Sequence, residues 1–177
     1  MNRDLLTKST VFFALVALAV LVRLISSTPN FAPVAATALF AGFYFRHRTT
    51  AICVPLLAMM ISDYFLGGYA KLVMISVYGS FLLPVAWRSI LRAKLSPLRV
   101  GLGAVSSSVA FFVFTNAAVW YSWYPHTLAG LTRCYTTAVP FFAYTLASDV
   151  LFAAGFFSLY TLAVRLSAVR VAVPAAA

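Results

Sequence analysis

Acidic residues are scarce in this chain: only three of its 177 residues are Asp or Glu, against 13 Lys or Arg. Charged residues of both signs make up 9% of the sequence, whereas a soluble domain averages about 25%. Because 63% of the residues are hydrophobic, the chain could not hide its apolar surface in water. The composition therefore excludes a soluble domain and predicts an integral membrane protein in contact with the lipid bilayer. The basic excess then belongs to membrane loops, and no nucleic-acid partner is expected.

Motifs of familiar catalytic chemistry are also missing. The sequence has no GxxxxGK[ST] phosphate-binding loop, no HExxH zinc-protease motif and no GxSxG nucleophile motif. Cys53 and Cys134 lie in different segments near opposite membrane faces, so we expect neither a disulfide nor a zinc cluster. His47 and His126 also fall on opposite sides, which argues against haem or metal ligation by a His pair. We therefore expect no enzyme, no catalytic residue, no metal and no cofactor.

Six apolar runs have about the length that a membrane span requires. Short connections separate most of them, and the second and fourth runs are the shortest. The pattern predicts an all-α, polytopic bundle that forms one membrane domain, followed by a flexible C-terminal tail at 167–177. The predicted spans are 9–25, 31–45, 50–66, 72–87, 100–120 and 138–162.

The basic residues predict the orientation of these spans. With the N-terminus inside, ten of the 13 basic residues lie on the cytoplasmic side, and Arg23, Lys71 and Arg133 lie outside. The positive-inside rule then predicts a multi-pass protein of the inner (plasma) membrane with both termini in the cytoplasm. A cleaved signal peptide over the first run is the alternative, but no Ala-x-Ala site follows that run.

Two of the three acids lie within apolar runs. Asp149 is near the middle of its run, where an ionised carboxylate costs about 3 kcal/mol on insertion scales. No basic residue is expected at that depth, so its carboxyl either carries a proton or binds a cationic or hydrogen-bonding ligand. Asp63 lies near the outer end of its run, where it either pairs with Arg23 or contributes to a site. An aspartyl-protease dyad is a further alternative, although the two acids differ in depth and neither lies in GxGD.

The segments that contain these acids resemble one another. Pro55–Asp63 and Pro140–Asp149 each begin with Pro and two large apolar residues, continue with Ala and end in Ser-Asp. Each lies in the last span of a three-span half, so a 3+3 inverted repeat of the transporter type is one interpretation. Chance similarity is the other, because apolar helices use few residue types.

Other polar and aromatic residues gather in the predicted outer half of the bundle. This distribution predicts a cavity open to the outside, with Asp149 as its floor and aromatic side chains as its walls. Alternative roles are a backbone hydrogen bond for Asn116 and interfacial anchoring for Trp120 and Tyr124. The candidate substrate-binding residues are Asn30, Phe31, Asp63, Tyr64, Asn116, Trp120, Tyr124, Tyr135 and Asp149.

Short motifs between residues 10 and 165 carry a family resemblance. They include Pro29-Asn30-Phe31-Ala32-Pro33, Ser62-Asp63-Tyr64, Thr115-Asn116, Trp123-Tyr124-Pro125, Pro140-Phe141-Phe142 and Ser148-Asp149. Through them the chain resembles a family of small bacterial membrane proteins of unknown function (DUF6580). That family is regarded as related to the substrate-binding S components of energy-coupling-factor (ECF) vitamin transporters, so the resemblance extends to them.

The resemblance implies six helices, cytoplasmic termini and a vitamin site that opens outward. It also implies energising partners, namely a membrane subunit and cytoplasmic ATPase subunits. S components often carry small residues at every fourth position of the first span, where they meet the membrane subunit. Ala14, Ala17 and Ala19 do not have that spacing, which leaves dependence on such partners open.

From these observations we expect an S-component-like membrane transport protein that takes up a small organic solute, such as a vitamin or its precursor, from the outer side. The alternative is a non-catalytic structural or assembly subunit of a membrane protein complex. In that case the aspartates would pair with partner helices, and no cavity would exist.

Overall fold

The computed structural model of the chain describes residues 3–172, and the side chains of residues 5–167. Every regular element in that part of the chain is helical, which confirms the prediction of an all-α protein. The elements are α1 (Arg3–Ile25), α2 (Val34–Tyr44), α3 (Arg48–Leu66), α4 (Lys71–Ser80), a 3-10 helix (Leu83–Trp87), α5 (Arg88–Ala93), α6 (Pro97–Trp123) and α7 (Leu128–Ala172).

Several helical stretches are long and apolar enough to cross a membrane. By length and composition, five stretches of the described chain qualify: Leu5–Ile25, Arg48–Leu66, Lys71–Ala93, Pro97–Trp123 and Leu128–Ser167. The remaining apolar helix, α2, has 11 residues and rises only about 16 Å, roughly half the thickness of the hydrocarbon core. It packs against α3, α7 and the 3-10 helix, and nine of its residues are buried. α2 is therefore the short central helix of the bundle.

Helix ends coincide with residues that favour interruption. α3 ends at Gly67, whose φ of 89° lies in the left-handed region that glycine adopts without strain. α6 begins after Ser96, whose hydroxyl accepts a hydrogen bond from the backbone N–H of Arg99 at 3.4 Å. Pro97 occupies the first position of that helix, where its missing N–H costs nothing. These local signals explain why the helices start and stop close to the predicted bounds.

The fourth predicted span, 72–87, differs from the structure. α4 ends at Ser80, and a turn and the 3-10 helix follow before α5 begins. Pro84 has no backbone N–H and lies at the start of the 3-10 helix, a position suited to proline. The fourth predicted span therefore lies within the stretch Lys71–Ala93, which is long and apolar enough to cross a membrane, but its helix is interrupted where proline removes a hydrogen-bond donor.

The last predicted span, 138–162, is part of a much longer helix. α7 runs without a break from Leu128 to Ala172, about 68 Å, or roughly twice the thickness of a hydrocarbon core. Residues 128–137, predicted as a loop, are therefore helical, and Pro140 is accommodated inside the helix, as is common in membrane helices. The predicted flexible tail is helical up to Ala172, and its remainder lies outside the described residues.

Close approaches of the backbone hold the centre of the bundle together. A Cβ atom on Gly42 of α2 would lie 3.1 Å from the Cα of Val85, so glycine lets the 3-10 helix pack directly on α2. Leu39 of α2 is 1% exposed, and its side chain packs on Gly103 of α6, where an added Cβ would lie 3.0 Å from Leu39 Cδ1. α6 packs against both α4 and α7, while α1 packs mainly against α3. A space remains between α4, α6, α7 and the α1–α2 connection.

Basic side chains gather at one end of the bundle. Arg92 donates hydrogen bonds to the carbonyl oxygens of Phe43 and Phe45 at 2.8 and 2.5 Å, which satisfies the exposed end of α2. Arg88 donates to the carbonyl oxygen of Arg46 at 2.6 Å. These residues were predicted to share the cytoplasmic side, and they do lie together; their orientation in a membrane stays a prediction.

Candidate functional site

A cavity with a few polar groups in its mostly apolar wall lies inside the bundle and consists of two adjoining chambers. The first, which we call the Asp149 chamber, has a volume of about 230 Å³. The second, the Asn116 chamber, has a volume of about 200 Å³. They are neighbours, because four residues line both of them: Asn30, Val77, Phe111 and Thr145.

Among the described residues, Asp149 is the one acid that lines this cavity. It lies in the middle of α7 and is 2% exposed. Its Oδ2 accepts a hydrogen bond of 2.6 Å from the hydroxyl of Ser108, in the middle of α6. Its other oxygen, Oδ1, makes no hydrogen bond to any residue that the structure describes. The carboxyl therefore retains acceptor capacity next to the chamber that it lines.

Arg23 of α1 borders the same chamber and is held by three groups of α3. Its Nη1 atom lies 2.8 Å from Asp63 Oδ1, donates to the hydroxyl of Ser62 at 2.6 Å and contacts the sulfur of Met59 at 3.0 Å. Residues 59, 62 and 63 share one helix face because they are three and four positions apart. The pairing of Arg23 with Asp63, one of the two roles considered from the sequence, is thus present.

Two tyrosines complete the surroundings of Asp63. Its Oδ2 accepts hydrogen bonds from Tyr69 at 3.3 Å and from Tyr78 at 3.0 Å. Tyr69 lies in the α3–α4 connection, where burial and then the negative charge of Asp63 raise the pKa of its hydroxyl well above the ordinary value. Tyr69 therefore remains protonated at neutral pH and keeps donating to Asp63. Since the tyrosine also lines the Asp149 chamber, this network forms one wall of the cavity.

The Asn116 chamber is mainly apolar, with four phenylalanines among the residues that line it. Asn116 donates from Nδ2 to the carbonyl oxygen of Phe112, one turn earlier on α6, at 2.8 Å. Its side-chain oxygen has no hydrogen bond to a described residue, and the residue lines the chamber. Asn30, held at a left-handed φ of 59°, likewise has no side-chain hydrogen bond within the described chain. The remaining walls include Phe111, Thr115, Phe141, Phe142 and Thr145.

The structure brings three of the predicted binding residues to the cavity wall: Asn30, Asn116 and Asp149. Asp63 is connected to the wall through Arg23 and Tyr69. Phe31 packs against Phe152, with ring centroids 6.0 Å apart, beside the cavity and not among the residues that line it. The remaining four residues of the predicted set lie elsewhere.

Tyr64 is 84% exposed on the outside of the bundle. The α6–α7 hairpin is stabilised by side-chain hydrogen bonds of the other three residues, Trp120, Tyr124 and Tyr135. The indole of Trp120 donates to the carbonyl oxygen of Pro125 at 3.1 Å, and the hydroxyl of Tyr135 donates to that of Val113 at 2.7 Å. Tyr124 contacts the hydroxyl of Thr137 at 3.4 Å. These four side chains lie at depths that are compatible with the cavity. Because they point to other sides of their helices, they do not line it.

Several residues that line the cavity or bond to its lining residues were not among those predicted. Arg23 was considered only as a partner of Asp63, while Tyr69, Ser108 and Thr145 were not considered. A signal for Ser108 existed, since Ser106-Ser107-Ser108 is a run of three hydroxyls inside an otherwise apolar helix. Tyr69 follows Gly67-Gly68 and resembles an ordinary loop residue, so the sequence offers no signal for it.

Larger hollows exist, but they lack this chemistry. Three hollows of about 460 to 560 Å³ lie along the helix surfaces. One is lined by apolar residues such as Phe40 and Leu159, and the others have basic residues such as Arg165 or Arg46 at their edges. No acidic side chain of the described chain lines any of the three. Buried polar groups, rather than volume, therefore identify the two chambers as the candidate site.

The described residues include no group of three or more His, Cys, Asp or Glu that could hold a metal ion. Cys53 is exposed and Cys134 is buried, and both are free thiols. Asp63 and Asp149 belong to separate hydrogen-bond networks, and no hydrogen bond joins their carboxyls in the part of the chain that the structure covers. The arrangement of an aspartyl-protease dyad, with two carboxyls sharing a proton, is therefore not present between them.

Comparison with curated proteins gives no significant match, and comparison with solved structures gives none either. A family model does match the chain, over residues 3–173, which is nearly its whole length. The match includes both chambers and all the residues discussed above as site candidates. The protein belongs to the family of unknown function DUF6580.

Proposed function

We propose that this protein is an S-component-like membrane transport protein that binds a small organic solute from the outer side of a bacterial inner membrane. The single observation that carries the proposal is Asp149, a buried carboxyl with an unbonded oxygen that borders an internal cavity. Buried polar groups in membrane helices are costly, and they commonly mark the path or the site of a solute. A carboxyl that served only packing would be expected to have all its acceptors satisfied by neighbouring helices.

The size and composition of the cavity support the same proposal. Together the two chambers fall within the range of roughly 300–1,000 Å³ that is usual for small-molecule sites. Their walls are mostly apolar and aromatic, with a few polar groups at defined positions, as such sites require. The polar groups come from α1, the α1–α2 connection, α6 and α7, so a bound solute would contact most of the bundle.

The proposed topology has six membrane segments, with the short helix α2 as the second and the stretch Lys71–Ala93 as the fourth. Both termini would lie in the cytoplasm, on the side where the basic residues gather. A 3+3 inverted repeat that relates the segments around Asp63 and Asp149 is part of this proposal. Any ATP that drives transport would be hydrolysed by a separate subunit, because the given sequence contains no phosphate-binding loop.

Native mass spectrometry of the purified protein, with thermal-shift screening against vitamins and their precursors, tests the proposal. We expect a co-purifying small molecule, or a stabilising ligand, whose effect is lost in Asp149→Asn and weakened in Asn116→Ala. Tyr64→Ala is the matched control, because that side chain is 84% exposed on the outside of the bundle. Binding and uptake that stay unchanged in correctly folded Asp149→Asn and Asn116→Ala would refute it.

The same experiment separates transport from assembly. A co-purifying membrane protein without any solute would support the structural-subunit alternative. The contacts of Asp63 do not favour that alternative. Its carboxyl already pairs with Arg23 and accepts hydrogen bonds from Tyr69 and Tyr78 within a single chain. It has little acceptor capacity left for a partner helix.

A further inference from the structure

We infer that the solute is an organic cation with an aromatic or other flat apolar body, its protonated nitrogen held against Asp149 in the Asp149 chamber. This inference rests on the proposed function and specifies the chemistry of its ligand. Three observations carry it: the charge balance around the cavity, the aromatic side chains beside Asp149 and the apolar walls of the Asn116 chamber.

The charge balance leaves Asp149 as the uncompensated group. Arg23 is the only basic side chain that lines either chamber within the described chain, and its charge is cancelled by Asp63 at 2.8 Å. Asp149 faces the same chamber and has a hydroxyl, not a cation, as its partner. A buried carboxylate in this situation is best stabilised by a positive charge that enters with the solute.

The rings beside Asp149 suit the same kind of solute. Tyr69, Phe81 and Phe111 line the chamber together with the carboxyl. The rings of Phe81 and Phe111 are packed at a centroid distance of 4.9 Å. The negative face of an aromatic ring attracts an ammonium group, and the attraction is larger where water is excluded. A carboxylate among aromatic rings is therefore a site for a protonated nitrogen and is unfavourable for an anion.

The Asn116 chamber provides space for the rest of the molecule. Phe112 and Phe142 pack in its wall with ring centroids 4.9 Å apart, and Phe111 and Phe141 also line it. Its volume of about 200 Å³ exceeds the roughly 150 Å³ of an apolar cavity that holds benzene, so one ring with a short chain fits. The unbonded oxygen of Asn116 can accept a single hydrogen bond from a polar substituent.

An anionic solute held by Arg23 is the competing assignment. The Nη1 atom of Arg23 already contacts Asp63, Ser62 and Met59. The negative charge of Asp63 also offsets the positive charge that would attract an anion. An anion would also lie in the same chamber as Asp149 and would be repelled by the ionised form of its carboxyl. The arrangement therefore favours cations over anions.

Three probes of similar shape test the inference on the full chain in lipid nanodiscs: 2-phenylethylamine, 2-phenylethanol and 3-phenylpropionate. Binding is measured by calorimetry at fixed ionic strength. We expect the amine to bind at least about tenfold more tightly than the other two. Asp149→Asn should abolish that preference, whereas Ser108→Ala, which keeps the carboxylate, should retain it. Asp63→Asn leaves Arg23 uncompensated and should weaken binding of the amine.

Tightest binding of the acid or the alcohol would overturn the inference, as would a preference for the amine that survives Asp149→Asn in a monodisperse, folded sample. A neutral or anionic solute found by native mass spectrometry, with binding that still depends on Asn116, would overturn the inference while leaving the proposed function intact. Failure of every probe, together with the absence of any co-purified solute, would overturn both.

Discussion

Arg23 of α1 and Asp63 of α3 form an ion pair, with Nη1 2.8 Å from Oδ1, in the wall of the Asp149 chamber. Their side chains are 19% and 11% exposed, so the pair is largely removed from water. Among the residues that the structure describes, Asp149 has only the hydroxyl of Ser108 as its partner. Two aspartates in similar sequence surroundings, each preceded by Ser and a proline-containing apolar run, are thus in opposite electrostatic situations. One is compensated by a cation within the protein, and the other lines the chamber with a hydroxyl as its described partner.

Asp63→Asn is expected to lower the free energy of unfolding by about 2 kcal/mol, because it leaves the guanidinium of Arg23 largely buried without a counter-charge. The partial exposure of both groups keeps the effect below that of a fully buried pair. Thermal unfolding in detergent measures it. In the double variant Arg23→Gln/Asp63→Asn the loss should be smaller than the sum of the two single losses.

Lys71→Gln is the control for charge removal, since Lys71 is exposed at the start of α4. It should change stability by less than about 0.5 kcal/mol. Additive effects of the Arg23 and Asp63 substitutions would show that the pair contributes no coupling to stability.

Ser108→Ala is expected to destabilise the protein by about 1–2 kcal/mol, because it removes the one hydrogen bond between Asp149 and α6 and leaves the carboxyl unpartnered. The measurement is again thermal unfolding in detergent. Ser106→Ala is the matched control on the same helix, since the hydroxyl of Ser106 donates only to the carbonyl oxygen of Gly103 within α6. Equal effects of the two substitutions would contradict a linking role for Ser108.

Gly130→Ala is expected to disturb the α6–α7 hairpin. A Cβ atom at Gly130 would lie 2.1 Å from the carbonyl oxygen of Pro125, a backbone atom that cannot move without displacing the connection. We expect a loss of about 2–3 kcal/mol, measured by unfolding. Gly155→Ala in the same helix is the control, because no described atom beyond the adjacent residues and the local helix backbone lies within 4 Å of its added Cβ. That control should be neutral or slightly stabilising, since alanine favours helix.

Tyr69 gives a prediction about pH. Burial and the charge of Asp63 raise the pKa of its hydroxyl, so it should remain protonated at pH 10, where an unperturbed tyrosine is half ionised. The tyrosinate absorbance at pH 10 should then be the same in wild type and Tyr69→Phe. If the variant instead has a lower absorbance at pH 10, by the amount that half a tyrosinate contributes, the pKa of the Tyr69 hydroxyl is not raised.

The sign of the associated stability effect follows from the same shift. The hydroxyl has a higher pKa in the folded protein than in the unfolded chain. Its contribution to stability is therefore complete below the ordinary value of 10 and is lost as the pH rises through the higher, folded value. The stability difference between wild type and Tyr69→Phe should accordingly be constant from neutral pH to about pH 9.

Helix positions could be predicted from the sequence where local signals set them. The bounds of α1, α3 and α6 lie within a few residues of the predicted ones, except that α1 begins earlier, because apolar runs and residues such as Gly67 and Pro97 act locally. The predicted loop before residue 138 is helical instead. Its threonines and Arg133 gave no apolar pattern, yet Thr132 and Thr136 bond to carbonyl oxygens of the preceding turn and fit within the helix.

The composition of the site was predicted only in part. Asn30, Asn116 and Asp149 were recognised because a polar side chain in an apolar run is conspicuous wherever it points. Tyr64, Trp120 and Tyr135 were included because their depth matched, but depth does not determine the direction of a side chain around its helix. Tyr69 was missed because the position of a loop depends on the helices that it joins.

The sequence by itself determined that this is an all-helical protein suited to a membrane and that Asp149 is buried in it. Those features depend on hydrophobicity and helix length, which are summed over residues that are neighbours in the chain. Only the tertiary structure decided that Arg23 neutralises Asp63, that Ser108 meets Asp149 and that Tyr69 closes the same wall. Such contacts join residues 6 to 41 positions apart, and they depend on how each helix is rotated against the next.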